Sequence, residues 1–318
     1  MRPRTVLVTG GAGFIGSHLV DRLLSLGHRV VVVDDLSTGR LHNLNKNATF
    51  YHSGVTYPGL KEIFEREQPD IVNHHAAQIS VTQSVKDPIK DAEVNIQGTL
   101  RLIELARQNG VEKVIFPSSG GTVYGEPQYI PCDEKHPINP ISPYALSKRV
   151  AEEYLQLYYH IYRLDYVTLR YGNVYGPRQD PHGEAGVIAI FTKAMLEGQR
   201  PVIYGTGEQE RDFIYVDDVI DANILAMEEG HGEYNVGTSQ GTSVNRVFET
   251  LKGIIKYKWG PVYGPARLGE IFKICLDSSS LGKQVEWTPH ISLEEGLTRT
   301  VEYFRKAAQT PSHNEGVR

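Results

Sequence analysis

Two hydrophobic patterns alternate through the first half of the chain. Short apolar runs typical of buried strands are followed by segments in which apolar residues recur at helical spacing. The predicted strands are residues 5–9, 29–33, 70–72, 113–116 and 166–169, and the predicted helices are residues 14–26, 61–67, 92–108 and 143–162. Because parallel strands need crossover helices on both faces of their sheet, this order predicts an α/β fold with a doubly wound parallel sheet.

The alternation ends near Tyr171, where glycine and proline become frequent and the apolar runs become short. No linker rich in glycine and serine separates the two parts, so we expect them to pack as one body. With 318 residues, the chain is longer than a single core usually supports. We predict a first domain over residues 1–170 and a smaller C-terminal lobe over residues 171–318, with residues 212–238 returning to the first domain.

Composition and charge argue against several classes of partner. The 33 basic and 38 acidic residues form no basic stripe, so nucleic acid is not an expected partner. Cys132 and Cys275 lie far apart without a CxxC spacing, which argues against a disulfide framework and a thiolate metal site. The chain shows neither an apolar leader nor a run near the ~20 residues of a membrane span. We therefore expect a cytoplasmic protein that contacts no membrane.

A glycine-rich turn follows the first predicted strand directly. It contains GxGxxG through Gly11, Gly13 and Gly16, and GxxGxxG if Gly10 is taken as the first glycine. Such a turn exposes backbone N–H groups and the positive end of a helix to a pyrophosphate. Asp34 ends the second strand 18 residues after Gly16. A carboxylate at this place accepts hydrogen bonds from the ribose hydroxyl groups and repels a 2′-phosphate. We predict a site for NAD rather than NADP; the alternative is a structural turn with a surface acid.

Tyr144 and Lys148 form a YxxxK pair, whose side chains share one face of a helix. The same spacing at residues 57–61 spans a Pro-Gly pair, whereas Ser142 and Pro143 supply an N-cap and a first-turn proline. A tyrosine is a useful base only if its phenol pKa of ~10 falls toward 7, which a nearby ammonium group and a nicotinamide cation promote. We predict that Tyr144 is a general base activated by Lys148; the alternative is a surface pair.

The strand end at residues 116–125 (FPSSGGTVYG) completes a series of motifs that resembles a known family. The others are TGGAGFIGSHL, HHAAQ, NxxGT, SPYALSK, LRYGNVYGPRQ and GTGEQERDFIYVDD. With these motifs in this order, the chain from Val6 to Phe304 resembles the extended short-chain dehydrogenase/reductases, and among them the UDP-galactose 4-epimerases. The resemblance implies a Rossmann domain with NAD, a C-terminal lobe that binds a nucleotide sugar, and a homodimer. It also implies inversion at C4 of UDP-glucose or UDP-galactose by hydride removal and return through a 4-keto sugar.

The resemblance also implies which residues form the site. Those implied in catalysis are Tyr144, Lys148, Ser119 and Thr122. Those implied in cofactor binding are Gly10, Gly13, Phe14, Ile15, Gly16, Asp34, Asp35, Ser37, Thr38, Gly39, Ala76, Ala77, Gln78, Asn95, Ser118, Tyr144, Lys148 and Tyr171. Those implied in substrate binding are Ser119, Thr122, Tyr144, Asn173, Val187, Tyr204, Arg211, Arg267, Glu270 and Ile274. Two of these are arginines, which suit a diphosphate because a planar guanidinium donates two parallel hydrogen bonds.

The chain departs from the family pattern at the strand end. Gly120 occupies the place of the family's catalytic Ser or Thr, so we expect Ser119 to supply the hydroxyl, with Thr122 and Ser118 as alternatives. At the position that gates bulky sugars, Ile274 is neither large nor small. The identity of the sugar therefore stays open.

Other functions fit parts of this pattern. The alternatives are a 4-epimerase of a 2-acetamido sugar or a uronate, a nucleotide-sugar dehydratase or decarboxylase, and a non-catalytic NAD-sensing scaffold. The dehydratases and decarboxylases need a carboxylate directly after the catalytic Ser or Thr, where this chain has a Gly-Gly-Thr sequence. A scaffold would have no need of Tyr144 and Lys148. These points favour an epimerase.

Two further patterns favour structural roles. His74 and His75 are adjacent on a predicted strand, so they point to opposite faces, and no ligand spacing surrounds them. We therefore predict no metal site. Tyr154, Tyr158 and Tyr162 repeat every four residues on the predicted helix, a pattern typical of packing, within the chain or against a second subunit.

Overall fold

The computed structural model describes residues 2–182, 186–267 and 271–309. Its strands are β1 Thr5–Thr9, β2 Arg29–Asp34, β3 Thr49–His52, β4 Ile71–His74, β5 Lys113–Ser119, β6 Asp165–Tyr171, β7 Asn173–Tyr175, β8 Val202–Tyr204, β9 Glu210–Tyr215, β10 Gly232–Val236, β11 Gly241–Ser243 and β12 Val262–Gly264. Seven of them form a sheet in the order β10-β6-β5-β4-β1-β2-β3, and every neighbouring pair in it is parallel.

Helices cover both faces of this sheet. They are α1 Phe14–Ser25, α2 Leu60–Glu67, α3 Val81–Lys86, α4 Pro88–Ala92, α5 Thr99–Gln108, α6 Gly120–Val123, α7 Pro143–Tyr162, α8 Val187–Leu196, α9 Val216–Glu229, α10 Val244–Ile255, α11 Ser279–Val285 and α12 Leu293–Gln309. Along β1, Val6 and Val8 join a core with α1 and α9, whereas Leu7 joins a core with α2, α5 and α7. The predicted α/β fold with a doubly wound parallel sheet is confirmed.

Two elements differ from the sequence prediction. The edge strand β3 was not predicted, because its four residues are at most half-buried and carry no apolar alternation. The single helix predicted over residues 92–108 is wrong in detail, since a π-helical turn at Glu93–Gly98 separates α4 from α5. Such wide turns occur mostly at functional sites. This one places Asn95 beside the carboxyl end of β4.

Two elements from the second half of the chain, α9 and β10, pack on the structure that the first half forms. Within residues 212–238, α9 packs on α1 and β10 extends the central sheet beside β6. The smaller elements form a three-stranded sheet, β11-β9-β7, and a two-stranded sheet, β12-β8. These small sheets lie in the part of the chain that we predict to be the C-terminal lobe. The domain limits at residues 1–170 and 171–318 stay a prediction.

The tyrosines of α7 pack within the chain. Tyr154 and Tyr158 contact the core formed with α2 and α5, and the Tyr158 hydroxyl donates to Glu104 of α5 at 3.1 Å. The Arg107 guanidinium lies 4.8 Å from the centre of the Tyr162 ring. The packing role predicted for this stripe therefore holds for Tyr154 and Tyr158.

Three observations concern the remaining expectations from composition. Cys132 and Cys275 are both free thiols and both buried. Across the described ranges, no helix combines the length and apolar character required to cross a membrane. Across the same ranges, no group of three or more His, Cys, Asp or Glu side chains is arranged to hold a metal ion.

Candidate active site

The glycine-rich turn between β1 and α1 leaves the start of the helix open. Gly10 has a φ of 67°, and a Cβ there would lie 2.7 Å from the backbone nitrogen of Ala76. Gly13 is the N-cap and brings no capping side chain, and the first turn of α1 carries no acidic residue. The positive end of the helix thus faces a backbone that a phosphate oxygen can approach closely, which fits the pyrophosphate of a dinucleotide.

Asp34 ends β2 next to this turn, as predicted. Its carboxylate accepts hydrogen bonds from the backbone N–H groups of Ala12, at 2.9 Å, and Leu36, at 2.8 Å. Burial raises the pKa of Asp34, although these two hydrogen bonds oppose the rise. A Cβ on Gly39 would lie 2.7 Å from an Asp34 oxygen, so the following loop closes tightly over the carboxylate. The arrangement fits a ribose diol and leaves little room for a 2′-phosphate.

The other predicted cofactor residues of this region lie on the same loop and on the first turn of α1. Phe14 and Ile15 begin α1 and are half-buried. Asp35, Ser37 and Thr38 are exposed, and Asp35 accepts a hydrogen bond from the Ser37 N–H at 2.9 Å. Their contacts with a cofactor stay a prediction.

Replacing Asp34 with alanine is expected to weaken NAD binding by about 10-fold or more and to reduce the preference for NAD over NADP. The physical reason is the loss of a charged acceptor, whose hydrogen bond contributes ~1.5 to 3 kcal/mol. Titration calorimetry with both dinucleotides measures the two affinities. Asp35→Ala is the matched control, since Asp35 is exposed and should have the smaller effect. An unchanged preference in Asp34→Ala would contradict the assignment.

The segment after β4 is held by Asn95. The Asn95 side chain accepts from the N–H of Gln78 and donates to its carbonyl oxygen, each at 2.9 Å. The Ala76 N–H donates to the Thr9 hydroxyl at 3.1 Å. Ala76, Ala77 and Gln78 are all half-buried at the carboxyl edge of the sheet. Asn95 therefore fixes the backbone of a segment predicted to contact the cofactor.

The two adjacent histidines lie beneath this segment. His74 hydrogen-bonds through both ring nitrogens, to Thr9 at 2.7 Å and to Thr99 at 2.9 Å. Burial and the nearby Lys148 lower the pKa of His74 and of His75 to about 3, so both rings are neutral at pH 7. For His74 this geometry supports the predicted structural role.

The helix α7 begins where the sequence predicts. The Ser142 hydroxyl accepts from the Ala145 N–H at 3.2 Å, and Pro143 is the first helical residue. The Tyr144 N–H donates to the Ser84 hydroxyl of α3 at 3.1 Å. One turn further, the Lys148 ammonium donates to the carbonyl oxygen of Pro117 at 2.8 Å. These contacts place both members of the YxxxK pair at the carboxyl end of β5.

The Tyr144 phenol lies near Ser119 at the end of β5. Burial and the Asp91 carboxylate raise the pKa of Tyr144 to about 12, and a side-chain hydrogen bond with Ser119 opposes the rise. Burial lowers the pKa of Lys148 to about 8, against the influence of Glu152 and Asp91. Lys148 is thus mainly an ammonium ion at pH 7, while Tyr144 is a neutral phenol until further positive charge is present.

Gly120 lies where a side chain would meet Leu276 rather than open space. The strand ends at Ser119, and Gly120 starts the short helix α6. A Cβ on Gly120 would lie 2.6 Å from a methyl group of Leu276, within a buried cluster. The glycine is therefore explained by packing, and the predicted role of Ser119 as the source of the hydroxyl stays a prediction.

Two other predicted hydroxyls are directed into the protein. Ser118 is buried and donates to the Glu152 carboxylate at 2.6 Å, so the alternative that Ser118 supplies the missing hydroxyl is wrong. Tyr171 is buried, and its hydroxyl accepts from the Asn223 side chain at 2.6 Å. Any contact of Tyr171 with a cofactor would involve its backbone or ring.

A cleft of about 430 Å³ opens in front of Ser119. Four of the predicted residues line it: Ser119, Thr122, Asn173 and Arg211. Sequence reasoning missed the remaining lining residues, which are Val81, Val85, Gly121, Ile141, Ser142, Gly172 and Ile271. Of these residues, Val85 and Ile141 stand out because their apolar side chains are strongly exposed, which is typical of a binding surface. The sequence could not identify them, because it does not show which side chains are exposed. The cleft combines hydroxyl groups, an amide and a guanidinium with apolar walls.

Other predicted substrate residues lie outside this lining. Ile274 is 1% exposed in the cluster with Leu276 and does not line this cleft, whereas Ile271 does, so a role for Ile274 beside the sugar stays a prediction. The Arg267 guanidinium lies 4.3 Å from the centre of the Tyr204 ring. Val187 starts α8 and is half-buried. Glu270 lies outside the described residues.

A sequence profile supplies the family. The profile of the NAD dependent epimerase/dehydratase family matches residues 6–237. The chain belongs to this family. NAD is therefore its cofactor, and the glycine turn and Asp34 have the geometry to hold it.

Solved structures of family members resemble the whole chain. A UDP-glucose 4-epimerase of Thermotoga maritima, solved with UDP-glucose, is 50% identical with a TM-score of 0.95, over 96% of this chain and 100% of that one. A UDP-glucose 4-epimerase of Thermus thermophilus, in complex with NAD, is 44% identical with a TM-score of 0.91, over 95% and 99%. A UDP-N-acetylglucosamine 4-epimerase of Methanobrevibacter ruminantium, in complex with UDP-N-acetylmuramic acid, is 40% identical with a TM-score of 0.92, over 96% and 100%.

Proposed function

We propose that the protein inverts C4 of a UDP-hexose and so interconverts UDP-glucose and UDP-galactose. The observation that carries this proposal is the placement of the Tyr144 phenol near the Ser119 hydroxyl, at a cleft that also contains Arg211. The two hydroxyls suit the O4 atom of a sugar, and the guanidinium suits a diphosphate. The 50% identity to an epimerase solved with UDP-glucose supports the same substrate.

The hydroxyl groups of Tyr144 and Ser119, near the end of β5, handle the proton transfer. When bound, NAD supplies a nicotinamide ring that accepts the hydride from C4 and later returns it. Tyr144, as phenolate, takes the O4 proton while the C4–H bond breaks, and returns that proton to O4 in the reverse step. Ser119 donates a hydrogen bond that steadies the O4 atom. One hydride and one proton leave C4–OH and are both returned, the hydride to the other face of C4, so the result is inversion without net oxidation.

Positive charge around Tyr144 decides whether it can act as a base. Its pKa of about 12 must fall for the phenolate to form near neutral pH. Lys148, an ammonium ion in the same buried site, and the cationic nicotinamide ring both favour the phenolate. Deprotonation of Tyr144 is therefore linked to binding of the oxidised cofactor.

The sugar must turn over between the two hydride transfers, while the nucleotide stays bound. Polar anchors on the lobe side, Asn173 and Arg211, lie across the cleft from apolar side chains of α3 such as Val81 and Val85. Apolar walls make no directional hydrogen bonds to the hexose. The 4-keto sugar can then rotate about its diphosphate and present its other face.

Dehydratase and decarboxylase activities are disfavoured by the same cleft. Those reactions need an acid or base besides the tyrosine, yet no Asp or Glu occurs among the described residues that line the cleft. Beside Ser119, the chain places Gly121 and Thr122 there instead. A non-catalytic scaffold would not explain the contact between Tyr144 and Ser119.

A 2-acetamido sugar is the second candidate. A Cβ on Gly121 would lie 3.7 Å from Asn173 and 3.9 Å from Ser119, which are ordinary contact distances. The fold therefore does not require a glycine at this position, and its absent side chain widens the cleft. The 40% identical UDP-N-acetylglucosamine 4-epimerase is consistent with this candidate.

The experiment that tests the proposal is a panel of nucleotide sugars assayed without added NAD. We expect the purified protein to retain NAD and to convert UDP-galactose to UDP-glucose. NMR spectroscopy of the products measures this conversion. UDP-N-acetylglucosamine, UDP-glucuronate and dTDP-glucose are the comparison substrates. Conversion of UDP-N-acetylglucosamine alone would support the second candidate. Formation of a 4-keto-6-deoxy sugar, or no turnover of any substrate, would overturn the proposal.

We also propose that the protein is a cytoplasmic homodimer that pairs through α7. This helix exposes Leu146, Leu157 and Ile161 at 52%, 46% and 54% of their surface, and burial of such side chains against a second copy is favourable. Sedimentation equilibrium should give twice the chain mass of 35.6 kDa. Leu157→Glu should shift this mass toward the monomer. A monomeric parent protein at micromolar concentration would contradict the dimer.

A further inference from the structure

Asp91 of α4 is a fully buried carboxylate with no role in the assignments above. One of its oxygens accepts from the side-chain amides of Gln78 and Asn95, each at 2.9 Å. The other accepts from the Ser147 hydroxyl at 2.6 Å. Ser147 lies on α7 between Tyr144 and Lys148. A single carboxylate therefore joins the catalytic helix to the segment that holds the cofactor loop.

The charge of Asp91 is not neutralised by the groups that hold it, because all three donors are neutral. Glu152, the other carboxylate that influences Lys148, differs in this respect. It pairs with Arg149 at 2.9 Å and with Arg170 at 2.8 Å. Two guanidinium groups thus balance Glu152. Glu152 has the larger influence on the pKa of Lys148, whereas Asp91 raises the pKa of both Tyr144 and Lys148 and has no cationic partner among its described hydrogen bonds.

The other groups around Lys148 are neutral or already paired. At the end of β4, His74 and the following His75 have a pKa of about 3 and carry no charge at neutral pH. On β5, the Lys148 ammonium donates to the Pro117 carbonyl oxygen and lies 4.6 Å from the centre of the Phe116 ring. On β6 and α7, the charged groups are the balanced set around Glu152. No other element supplies an uncompensated charge to Lys148 in the described contacts.

We propose that Asp91 is a positioning residue for the reaction, which holds Ser147 on the catalytic helix and, together with Glu152, supplies negative charge near Lys148. This inference rests on the roles proposed above for Tyr144 and Lys148. Asp91 raises the pKa of both groups. Its charge therefore keeps the lysine protonated in an apolar site and holds the phenol neutral until the cofactor cation is bound.

The substitution Asp91→Asn separates the charge from the hydrogen bonds. An asparagine oxygen can accept from Gln78 and Asn95, and its amide can donate to the Ser147 hydroxyl, so the same contacts can form. Without the charge, both Tyr144 and Lys148 lose their protons more readily. We expect both limbs of the pH profile of kcat to move to lower pH by roughly one unit. A profile at the parent position would overturn the proposal.

Two control variants test whether the shift comes from charge. Ser147→Ala keeps the carboxylate and removes one hydrogen bond, so we expect a lower kcat with the limbs of the profile in place. Glu93→Gln removes an exposed carboxylate two residues away and should change neither. A shift in Ser147→Ala equal to that of Asp91→Asn would show that Asp91 acts through structure alone.

A measurement without turnover keeps the test independent of the proposed reaction. The NMR signal of the ¹³Cε atom of Lys148, assigned with Lys148→Met and followed across pH, reports the protonation of its buried amine. We expect the midpoint for Asp91→Asn to lie roughly one pH unit below the parent value. An equal midpoint overturns the proposal even if the protein epimerises no UDP-hexose. Should Asp91→Asn fail to fold, Asp91→Ser removes the same charge and leaves room for a water among the donors.

Discussion

Replacing Tyr144 with phenylalanine is expected to lower the turnover of UDP-galactose by more than about 10²-fold. The change removes the hydroxyl that takes the O4 proton and keeps the ring that contacts the end of β5. Thermal stability and the amount of bound NAD should therefore match those of the parent protein. A coupled assay of UDP-glucose formation measures the rate, and absorbance of the released cofactor measures the NAD content.

The matched control for this prediction is Tyr57→Phe. Tyr57 belongs to the other YxxxK spacing and is 60% exposed, so its hydroxyl should not affect the rate. Tyr124 is not a ready substitute for Tyr144, because its buried hydroxyl already bonds Asn235 at 2.7 Å and Arg170 at 3.1 Å. A Tyr144→Phe protein with nearly full activity would show that the reaction does not depend on α7.

Replacing Ser119 with alanine is expected to lower kcat by about 10- to 100-fold, in line with the loss of one hydrogen bond to a charged group, worth ~1.5 to 3 kcal/mol. Ser119 lies near the Tyr144 phenol and lines the cleft. Its loss should affect kcat more than the binding of UDP-sugar, because the hydrogen bond acts on the reacting oxygen. Steady-state kinetics that separate kcat from KM measure this difference.

Thr122→Val is the companion variant. The Thr122 hydroxyl also lines the cleft, but it donates to the Ser119 carbonyl oxygen at 3.4 Å, so we expect the smaller effect. A severe loss in Thr122→Val with a silent Ser119→Ala would move the proton relay to Thr122. Equal rates in both variants and the parent would leave Tyr144 as the only hydroxyl that handles the proton.

Much of the fold could be predicted because its signals are local. Strand β1 and helix α7 have the bounds that the sequence predicts. Burial on both faces of a parallel sheet gives the strand a continuous apolar run, and the Ser142–Pro143 pair marks the start of the helix. The half-exposed edge strand β3 carries no such pattern. The π-helical turn at Glu93–Gly98 interrupts a segment whose apolar residues recur at helical spacing, so that spacing gave no sign of it.

The candidate site also has features that the sequence predicts and features that it does not. The spacing of Tyr144 and Lys148, the glycine turn and the acid at Asp34 are fixed by one helix, one turn and one strand end, so the sequence by itself determined them. The packing of Leu276 against Gly120 explains why that position has no side chain, and it joins segments that are far apart in the sequence.

Only the tertiary structure decided which polar groups meet. Asp91 bonds Ser147 from 56 residues away, and nothing in the local sequence of either residue indicates the pairing. Burial then sets the chemistry, because a charge that is removed from water changes the pKa of its neighbours far more than an exposed one does. The residue types at the site are a property of the sequence, whereas the proton affinities of Tyr144 and Lys148 depend on which segments the fold packs around them.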